Sequence, residues 1–421
     1  MKIIATGDWH IGNLFHGNDR LSEHKHFFNW LLSRLEELKP DALLVAGDVF
    51  DNANPSAAAQ AIYYDFITEA TKKCPEMKIV ISAGNHDSAF RLEAPRSLLT
   101  ERNVEVRGKV KKNWVSDENG GSWNIDFDDL IIPLNNTAGE KFLVLVVPFL
   151  RSDVMEGDSY SEGVNRIIRD LTQYARDKYP GLPLVMMAHM YAKGSEIAEK
   201  DASEKIIIGG QEEVNMDGWE DHPDYFTSGH IHKRQHIWNT NWARYTGSIL
   251  PMSFAEIDYH HGVDLVTISP DKKLKVEFLE YVPQHKLRIF PDEGIELPPK
   301  KLLKLIKEEL PDRGDGGQLD DKFEYLLLKV KQDKVNNDEI KELESLISRK
   351  NVVLCKIHKI LPAMELHSGV LEKQLESVED ILNRDPLETL KDTFKIEHKR
   401  EMSEIQENML KSILQSISEE E

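Results

Sequence analysis

Short apolar runs alternate with amphipathic stretches over the first ninety residues, and each run stops at a small residue followed by polar ones. Lys2–Thr6, Leu43–Ala46 and Ile79–Ser82 have the length and composition of buried strands. Between them, Glu23–Leu38 and Pro55–Lys73 carry apolar residues at three- and four-residue spacing, which predicts helices. The order strand, helix, strand, helix, strand predicts a parallel sheet with right-handed crossovers.

The chain is richer in strand-like segments from Val104 to Tyr281, with a single helical pattern at Glu162–Tyr179. The clearest predicted strands are Leu143–Val147, Leu184–Ala188, Asp224–Ser228, Arg244–Thr246, Val263–Ile268 and Leu274–Tyr281. We expect these later strands to form a second sheet that packs on the first, with helices outside. The fold class is therefore α/β (α+β), a β-sandwich flanked by helices.

The pattern changes again near residue 286, which divides the chain into three predicted domains. Residues 1–286 form the main domain, and 287–366 a small α+β domain. The small domain has the order β, α, β, α, β, read from Leu287–Phe290, Pro299–Leu310, Phe323–Val330, Asn336–Lys350 and Val352–Ile360. Residues 367–421 are polar and helical with narrow apolar stripes, so we expect these helices to pack on the body or on a partner helix.

Metal-binding residue types follow five of the predicted strands. In open α/β sheets, ligands bind beyond the carboxyl ends of the strands, so these side chains are expected at one sheet edge. The seven candidate ligands are Asp8, His10, Asp48, Asn85, His189, His230 and His232. We predict that they hold two metal ions bridged by Asp48, the usual device for hydrolysing phosphate esters. Mixed imidazole, carboxylate and amide ligands favour manganese, iron or zinc over magnesium or calcium.

Composition narrows the class of protein. The chain has 53 basic and 73 acidic residues, a net charge of −20, which argues against a broad basic surface that coats nucleic acid. It does not exclude a nucleic-acid enzyme, because bound cations supply local positive charge. No apolar run is long enough to span a membrane, and the short apolar start predicts no signal peptide. Only Cys74 and Cys355 are present, far apart, which is typical of a reducing cytoplasm.

These motifs resemble a known family in order and spacing. The motifs are Gly7-Asp8-Trp9-His10, Gly47-Asp48-Val49-Phe50-Asp51, Gly84-Asn85-His86-Asp87, His189 and Gly229-His230-Ile231-His232. Together they resemble the calcineurin-like metallophosphoesterases. The segment Gly247–Phe254, with Ile249 in place of a proline, is similar to that of the bacterial SbcD nuclease family, relatives of the break-repair nucleases. The resemblance is strong over about residues 1–282.

The resemblance implies a manganese-dependent nuclease that acts on DNA ends and hairpins, with exonuclease activity on duplexes and endonuclease activity on single strands. It implies an SbcC-type coiled-coil ATPase partner, a homodimer within a heterotetramer, and a cytoplasmic, nucleoid-associated location. One ion would be held by Asp8, His10, Asp48 and His232, and the other by Asp48, Asn85, His189 and His230.

Residues beside the implied ligands receive roles from the same resemblance. His86 would contact the phosphate or donate a proton, or else act as a hydrogen bonder behind the ligands. Asp87 would orient a ligand or His86. Residues 287–366 would narrow access to the site and contact DNA, with Lys329, Lys331 and Lys334 as candidate phosphate contacts or ordinary solvated lysines.

Two other functions stay open at this point. A phosphoesterase for another substrate is disfavoured, because protein phosphatases of this superfamily carry Asp-Arg-Gly and Asn-His-Glu where this chain has Asp51-Asn52-Ala53 and Asn85-His86-Asp87. A non-catalytic metal-bearing scaffold is disfavoured because such proteins tend to lose ligands. The sequence leaves cleavage polarity, the native metal and the role of Asp51 open, and we expect solvated or packing roles for His16, His24 and His26.

Overall fold

The computed structural model describes residues 1–115, 122–151, 159–196, 213–215, 219, 221–238, 240–292, 294–314, 317–331 and 337–360. The predicted C-terminal helices and Lys334 lie outside these residues. None of the described helices is long and apolar enough to cross a membrane.

Nineteen strands occur within the described ranges. They are β1 (Lys2–Thr6), β2 (Leu14–Phe15), β3 (Asn18–Asp19), β4 (Ala42–Ala46), β5 (Lys78–Ser82), β6 (Val104–Arg107), β7 (Lys112–Val115), β8 (Ser122–Ile125), β9 (Ile131–Asn135), β10 (Lys141–Val147), β11 (Leu184–His189), β12 (Tyr225–Gly229), β13 (Gln235–His236), β14 (Ala243–Tyr245), β15 (His261–Ile268), β16 (Leu274–Tyr281), β17 (Leu287–Phe290), β18 (Glu324–Lys331) and β19 (Val352–Ile360).

The helices of the described ranges flank these strands. They are α1 (Leu21–Leu38), α2 (Ala57–Lys73), α3 (Ala89–Glu93), α4 (Arg96–Thr100), α5 (Phe127–Leu130), α6 (Tyr160–Lys178), α7 (Pro299–Glu309) and α8 (Asn337–Ile347). Local sequence explains several of their ends. Ser56 accepts a hydrogen bond from Ala59 N at the start of α2, and Ser159 Oγ accepts one from Glu162 N at the start of α6.

Two six-stranded sheets form the body of the protein. The first has the order β16-β15-β1-β4-β5-β6 and the second β13-β14-β12-β11-β10-β9. Strands β1, β4, β5 and β6 run parallel, which confirms the predicted βαβαβ unit. In the second sheet, β10, β11, β12 and β14 are also parallel. The metal ligands predicted from sequence lie at or just beyond the carboxyl ends of strands in both parallel sets.

The expectation that all later strands join the second sheet is wrong for β15 and β16. β15 pairs antiparallel with β1, with Ile4 opposite Leu265, and β16 pairs with β15 at the edge of the first sheet. The strand β15 is buried on both faces along nearly its whole length, a pattern that fits an interior strand of either sheet, so the sequence did not indicate which sheet it joins. Such a strand suits an interior position that is covered on both sides.

Three apolar clusters hold the layers together. One lies between the sheets and includes Ile3, Leu44, Val144 and Met187. A second joins the first sheet to α1 and α2, and a third joins the second sheet to α6. The order helices, sheet, sheet, helix confirms the predicted sandwich with helices outside.

The strands β17, β18 and β19 form a smaller parallel sheet, with α7 and α8 and an apolar cluster of its own. This small sheet has the predicted β, α, β, α, β order, while the domain boundaries stay a prediction. A buried hydrogen bond connects it to the body: Tyr325 Oη donates a 3.0 Å bond to Glu23 Oε2, which also lies 2.7 Å from Arg20 Nε.

Candidate metal centre

The ends of β1, β4, β5, β11 and β12 converge, and they bring the predicted ligands together at one edge of the sandwich. Asp8, Asp48 and His189 are fully buried or nearly so, and each offers one ligand atom within 4.8 Å of the other two. His10, Asp48 and His86 meet the same criterion. Asp48 is thus the member shared by two neighbouring groups of possible ligands.

The Asn85 side chain lies between two of the histidines. Its Oδ1 is 2.9 Å from His189 Nε2 and 3.0 Å from His230 Nδ1. His189 Nε2 is also 3.3 Å from Asp48 Oδ2, while His189 Nδ1 donates a 2.9 Å hydrogen bond to the Ala46 carbonyl. Because a carbonyl can only accept, Nδ1 carries a proton and Nε2 is the atom turned toward the oxygens.

The other side of Asp48 faces His10, whose Nε2 lies 3.7 Å from Asp48 Oδ2. The ring of His232 is 5.1 Å from that of His10, measured between centroids. Glu256 orients the ring of His232, because the Oε1 atom of this fully buried side chain is 2.9 Å from His232 Nδ1. The second oxygen of Glu256 accepts a 2.8 Å hydrogen bond from Met252 N, so the carboxylate is held at both oxygens.

The backbone of the site is unusual at four of the predicted ligands. Asp8, His10, Asp48 and His230 have φ values of 49°, 45°, 48° and 97°, in the left-handed region that side-chain-bearing residues seldom adopt. Such strain is concentrated at functional sites and is sustained by the surrounding fold. A neighbouring glycine is required here, because a Cβ on Gly84 would lie 2.1 Å from Asp48 Oδ1.

The side chain of His86 is half-buried. Its backbone N donates a 2.9 Å hydrogen bond to Asp48 Oδ1, and its Nδ1 donates a 2.8 Å bond to the Asp51 carbonyl. The Asp51 carboxylate is 3.6 Å from His10 Nδ1. Asp51, whose role the sequence left open, therefore contacts both His10 and His86.

Asp87 is buried and contacts backbone N–H groups of two loops. Its Oδ2 accepts bonds of 2.9 Å from Gly84 N and 3.1 Å from Val49 N, and its Oδ1 a 3.0 Å bond from Phe50 N. The carboxylate ties the loop that carries Asp48 to the loop that carries Asn85. Asp87 thus contacts backbone next to Asp48 and Asn85, and its role in orienting a ligand or His86 stays a prediction.

The electrostatics of the site favour positive charge between the carboxylates. Burial opposes the charge on His189, but Asp48 and Asp8 outweigh it and raise the pKa of His189 to about 9. Burial also opposes ionisation of Asp48, yet His189 and His10 lower the pKa of this carboxyl. Burial raises the pKa of Asp8 and, with the charge of Asp48, raises that of Asp87 to about 6. Burial and His189 lower the pKa of His230 to about 3.

These residues fit a pair of divalent cations. Among the described residues, the buried atoms Asp8 Oδ2 and His10 Nε2 have no hydrogen-bond partner, although buried polar atoms are normally paired. The donor set combines carboxylate oxygens, an amide oxygen and imidazole nitrogens, which suits manganese, iron or zinc. These residues would hold a cation that satisfies both atoms and offsets the repulsion of the buried carboxylates.

The other histidines and lysines singled out from sequence lie elsewhere. His24 is buried, with its ring nitrogens 2.9 Å from the carbonyls of Arg20 and Trp9. His26 Nδ1 is 2.7 Å from Tyr281 Oη, and the His16 ring packs near Phe254. Lys329 Nζ donates a 2.9 Å bond to the Gly294 carbonyl.

Sequence reasoning missed Glu256, the buried partner of His232. It is separated from His232 by 24 residues, and its segment carries no metal-ligand pattern. The only available signal was its position directly after the Gly247–Phe254 motif, where Ser248 N donates a 3.0 Å hydrogen bond to the His232 carbonyl.

Comparison with known proteins adds to this geometry. Residues 1–234 match the family model of the calcineurin-like phosphoesterases. The SbcD subunit of the nuclease SbcCD from Rhodobacter capsulatus is 33% identical over 342 residues, covering 78% of this chain and 80% of that protein. The SbcD subunit from Escherichia coli K12 is 29% identical and covers 66% of this chain and 68% of its own. The SbcD subunit from Bacillus subtilis is 27% identical and covers 65% of this chain and 68% of its own.

Proposed function

The chain belongs to the calcineurin-like phosphoesterases and, within them, to the SbcD nuclease family, and from this premise we propose that it hydrolyses DNA phosphodiester bonds at the centre around Asp48. The observation that carries the proposal is the convergence of seven nitrogen and oxygen donors at one sheet edge, with Asp48 at their centre. Family membership implies a dinuclear metal site.

We propose manganese as the native metal, in two sites that share Asp48. Asp8, His10, Asp48 and His232 would hold one ion, and Asp48, Asn85, His189 and His230 the other. Bound cations of this kind neutralise phosphate charge and make water a stronger nucleophile at neutral pH. The protein contributes rigidity, because Asp87 ties the two ligand loops together and Glu256 fixes His232.

His86 is proposed to act on the substrate directly. Its Nδ1 is committed to the Asp51 carbonyl, so its Nε2 is the atom available to contact a phosphate oxygen or to give a proton to the leaving oxygen. Its partial exposure suits that role. The alternative, a hydrogen-bonding role behind the ligands, predicts a much smaller loss of activity on substitution.

The proposed substrates are DNA ends and hairpins, and the proposed partner is an SbcC-type coiled-coil ATPase. A partner fits the charge of the chain, since a net charge of −20 supplies little general attraction for DNA. We propose that residues 287–366 cap the site and contact DNA, that 367–421 dock the ATPase, and that the protein works as a dimer within that assembly at the nucleoid.

The test is a manganese-dependent assay on plasmid, linear duplex, hairpin and nitrophenyl phosphodiester substrates side by side. Asp8→Asn and His86→Gln should abolish DNA cleavage while the protein stays folded. The matched control is Asp65→Asn, which changes an exposed aspartate on α2 and should cleave like the wild type. Undiminished cleavage by Asp8→Asn, or no cleavage of any DNA by the wild type, would overturn the proposal.

A further inference from the structure

Two aromatic side chains flank the loop that carries Asn85 and His86, and each lies beside a cationic side chain. Phe90 is 73% exposed, and Lys109 Nζ lies 4.1 Å from the centre of its ring. Phe149 is half-buried, with the Arg151 guanidinium carbon 5.9 Å from its ring centre. Neither pair belongs to the donor set around Asp48.

Both pairs are fixed to this loop by backbone contacts. Phe149 N donates a 2.9 Å hydrogen bond to the Ala83 carbonyl at the start of the loop. On the other side, the backbone before Lys109 packs so closely that a Cβ on Gly108 would lie 2.4 Å from the Ala89 carbonyl oxygen. The scaffold therefore fixes the backbone that carries the rings.

One of the rings lies close to the proposed reaction centre, and the other belongs to a residue a short length of chain away from it. The Phe149 ring is 6.2 Å from that of His189, measured between centroids. Phe90 is four residues beyond His86, a length of chain that spans at most about 14 Å. A strand whose phosphate occupies the centre therefore has its neighbouring nucleotides within reach of the rings.

The pair Phe90 and Lys109 lies on one side of the centre, and the small sheet contacts the other side. Phe90 and Lys109 follow β5 and β6, whereas the contacts of the small sheet involve Phe15 after β1 and Phe254 before β15. In the order β15-β1-β4-β5-β6, the strand β4 that delivers Asp48 lies between these sides. The sheet edge on the side of β5 and β6 thus offers a path away from the centre that does not pass the small sheet.

Resting on the proposed nuclease function, we propose that Phe90, Lys109, Phe149 and Arg151 form an aromatic track that holds an unpaired DNA strand beside the scissile phosphate. The rings stack on nucleobases and the two cations contact backbone phosphates. Alternating aromatic and cationic groups are the chemistry by which proteins bind single strands without sequence preference. A paired duplex does not expose the base faces that such rings need, so the track selects unpaired DNA.

The experiment measures KM and kcat of the full-length protein with manganese on a single-stranded oligonucleotide and on a matched strand containing stable abasic residues. Phe90→Ala should raise KM about tenfold on the base-bearing strand, the order expected for one lost stacking contact. The rise should be far smaller on the abasic strand, and Phe90→Trp should restore the wild-type KM. The control is Leu98→Ala, which removes another exposed apolar side chain (69% exposed) and should leave KM unchanged.

The phosphate contacts of the cationic side chains are tested by the salt dependence of KM. Lys109→Gln should lower the slope of log KM against log salt concentration by about 0.7, the value for one phosphate contact on a single strand. An unchanged slope would remove Lys109 from the track.

An equal rise in KM on base-bearing and abasic strands, or a wild-type KM in Phe90→Ala, would overturn the track. The nuclease proposal would still stand as long as the wild type cleaves DNA. If the wild type cleaves no DNA, fluorescence anisotropy of the labelled strands separates the two ideas. Base-dependent binding that Phe90→Ala weakens would support the track without the nuclease, and base-independent binding would overturn both.

Discussion

Replacement of Glu256 by glutamine should weaken the binding of one manganese ion. The Glu256 carboxylate is fully buried, with Oε1 2.9 Å from His232 Nδ1 and Oε2 2.8 Å from Met252 N. Both neighbours donate protons when His232 offers its Nε2 lone pair to a metal. A carboxylate accepts from both, whereas a glutamine amide has one acceptor and one donor end.

Either orientation of the new amide in Glu256→Gln disturbs the site. If its oxygen faces Met252 N, its NH2 group faces His232 Nδ1, which favours the tautomer with the proton on Nε2 and removes the ligating lone pair. If its oxygen faces His232, the NH2 group opposes the Met252 N–H and the buried charge is still lost. Substitution of such outer partners typically weakens metal binding 10- to 100-fold, or about 1.4 to 2.8 kcal/mol.

The assay is titration with manganese followed by electron paramagnetic resonance of the free ion, together with the manganese midpoint for nitrophenyl phosphodiester hydrolysis. Because His232 belongs to one of the two proposed ligand sets, one binding step should weaken and the other should not. Glu280→Gln is the matched control, since Glu280 pairs with His260 at the exposed surface, 2.7 Å apart. Wild-type manganese affinity in a Glu256→Gln protein that melts normally in chelator would refute the reasoning.

Three further predictions concern other parts of the molecule. Gly84→Ala should abolish activity and weaken manganese binding, because the new Cβ would lie 2.1 Å from Asp48 Oδ1; Gly314→Ala, in open space, should match the wild type in both assays. Tyr325→Phe should destabilise the protein by about 1 to 3 kcal/mol in urea unfolding, because buried Glu23 loses a donor; an unchanged midpoint would contradict this. Deletion of 367–421 should leave basal hydrolysis intact and abolish capture of an SbcC-type ATPase in a pull-down, and retained capture would exclude the docking role.

The parallel half of the fold and the candidate ligands were accessible from sequence for a single physical reason. The sequence of a buried parallel strand is a continuous apolar run, and the carboxyl end of the strand lies at a known edge of the sheet. Residues such as Asp48 and His189 could therefore be assigned to one place although they are far apart in the chain. The structure brings them within hydrogen-bonding distance.

What sequence could not supply was the pairing of segments that carry no directional signal. The apolar pattern of β15 fits any interior strand, so its pairing with β1 was not foreseen. The same holds for side chains that meet only after folding. Glu256 orients His232 from 24 residues away, and Tyr325 donates to Glu23 across 302 residues. Neither contact follows a helical or strand period, so local sequence patterns do not predict either of them.

The central claim is that two cations lie at this sheet edge and share Asp48. Anomalous difference maps from manganese-soaked crystals, recorded at the manganese absorption edge, test it most directly. The account predicts two peaks about 3.5 to 4 Å apart, with Asp48 between them and imidazole nitrogens of His10, His189, His230 and His232 around them. An absence of peaks there, or a single peak that Asp48 does not contact, would contradict it.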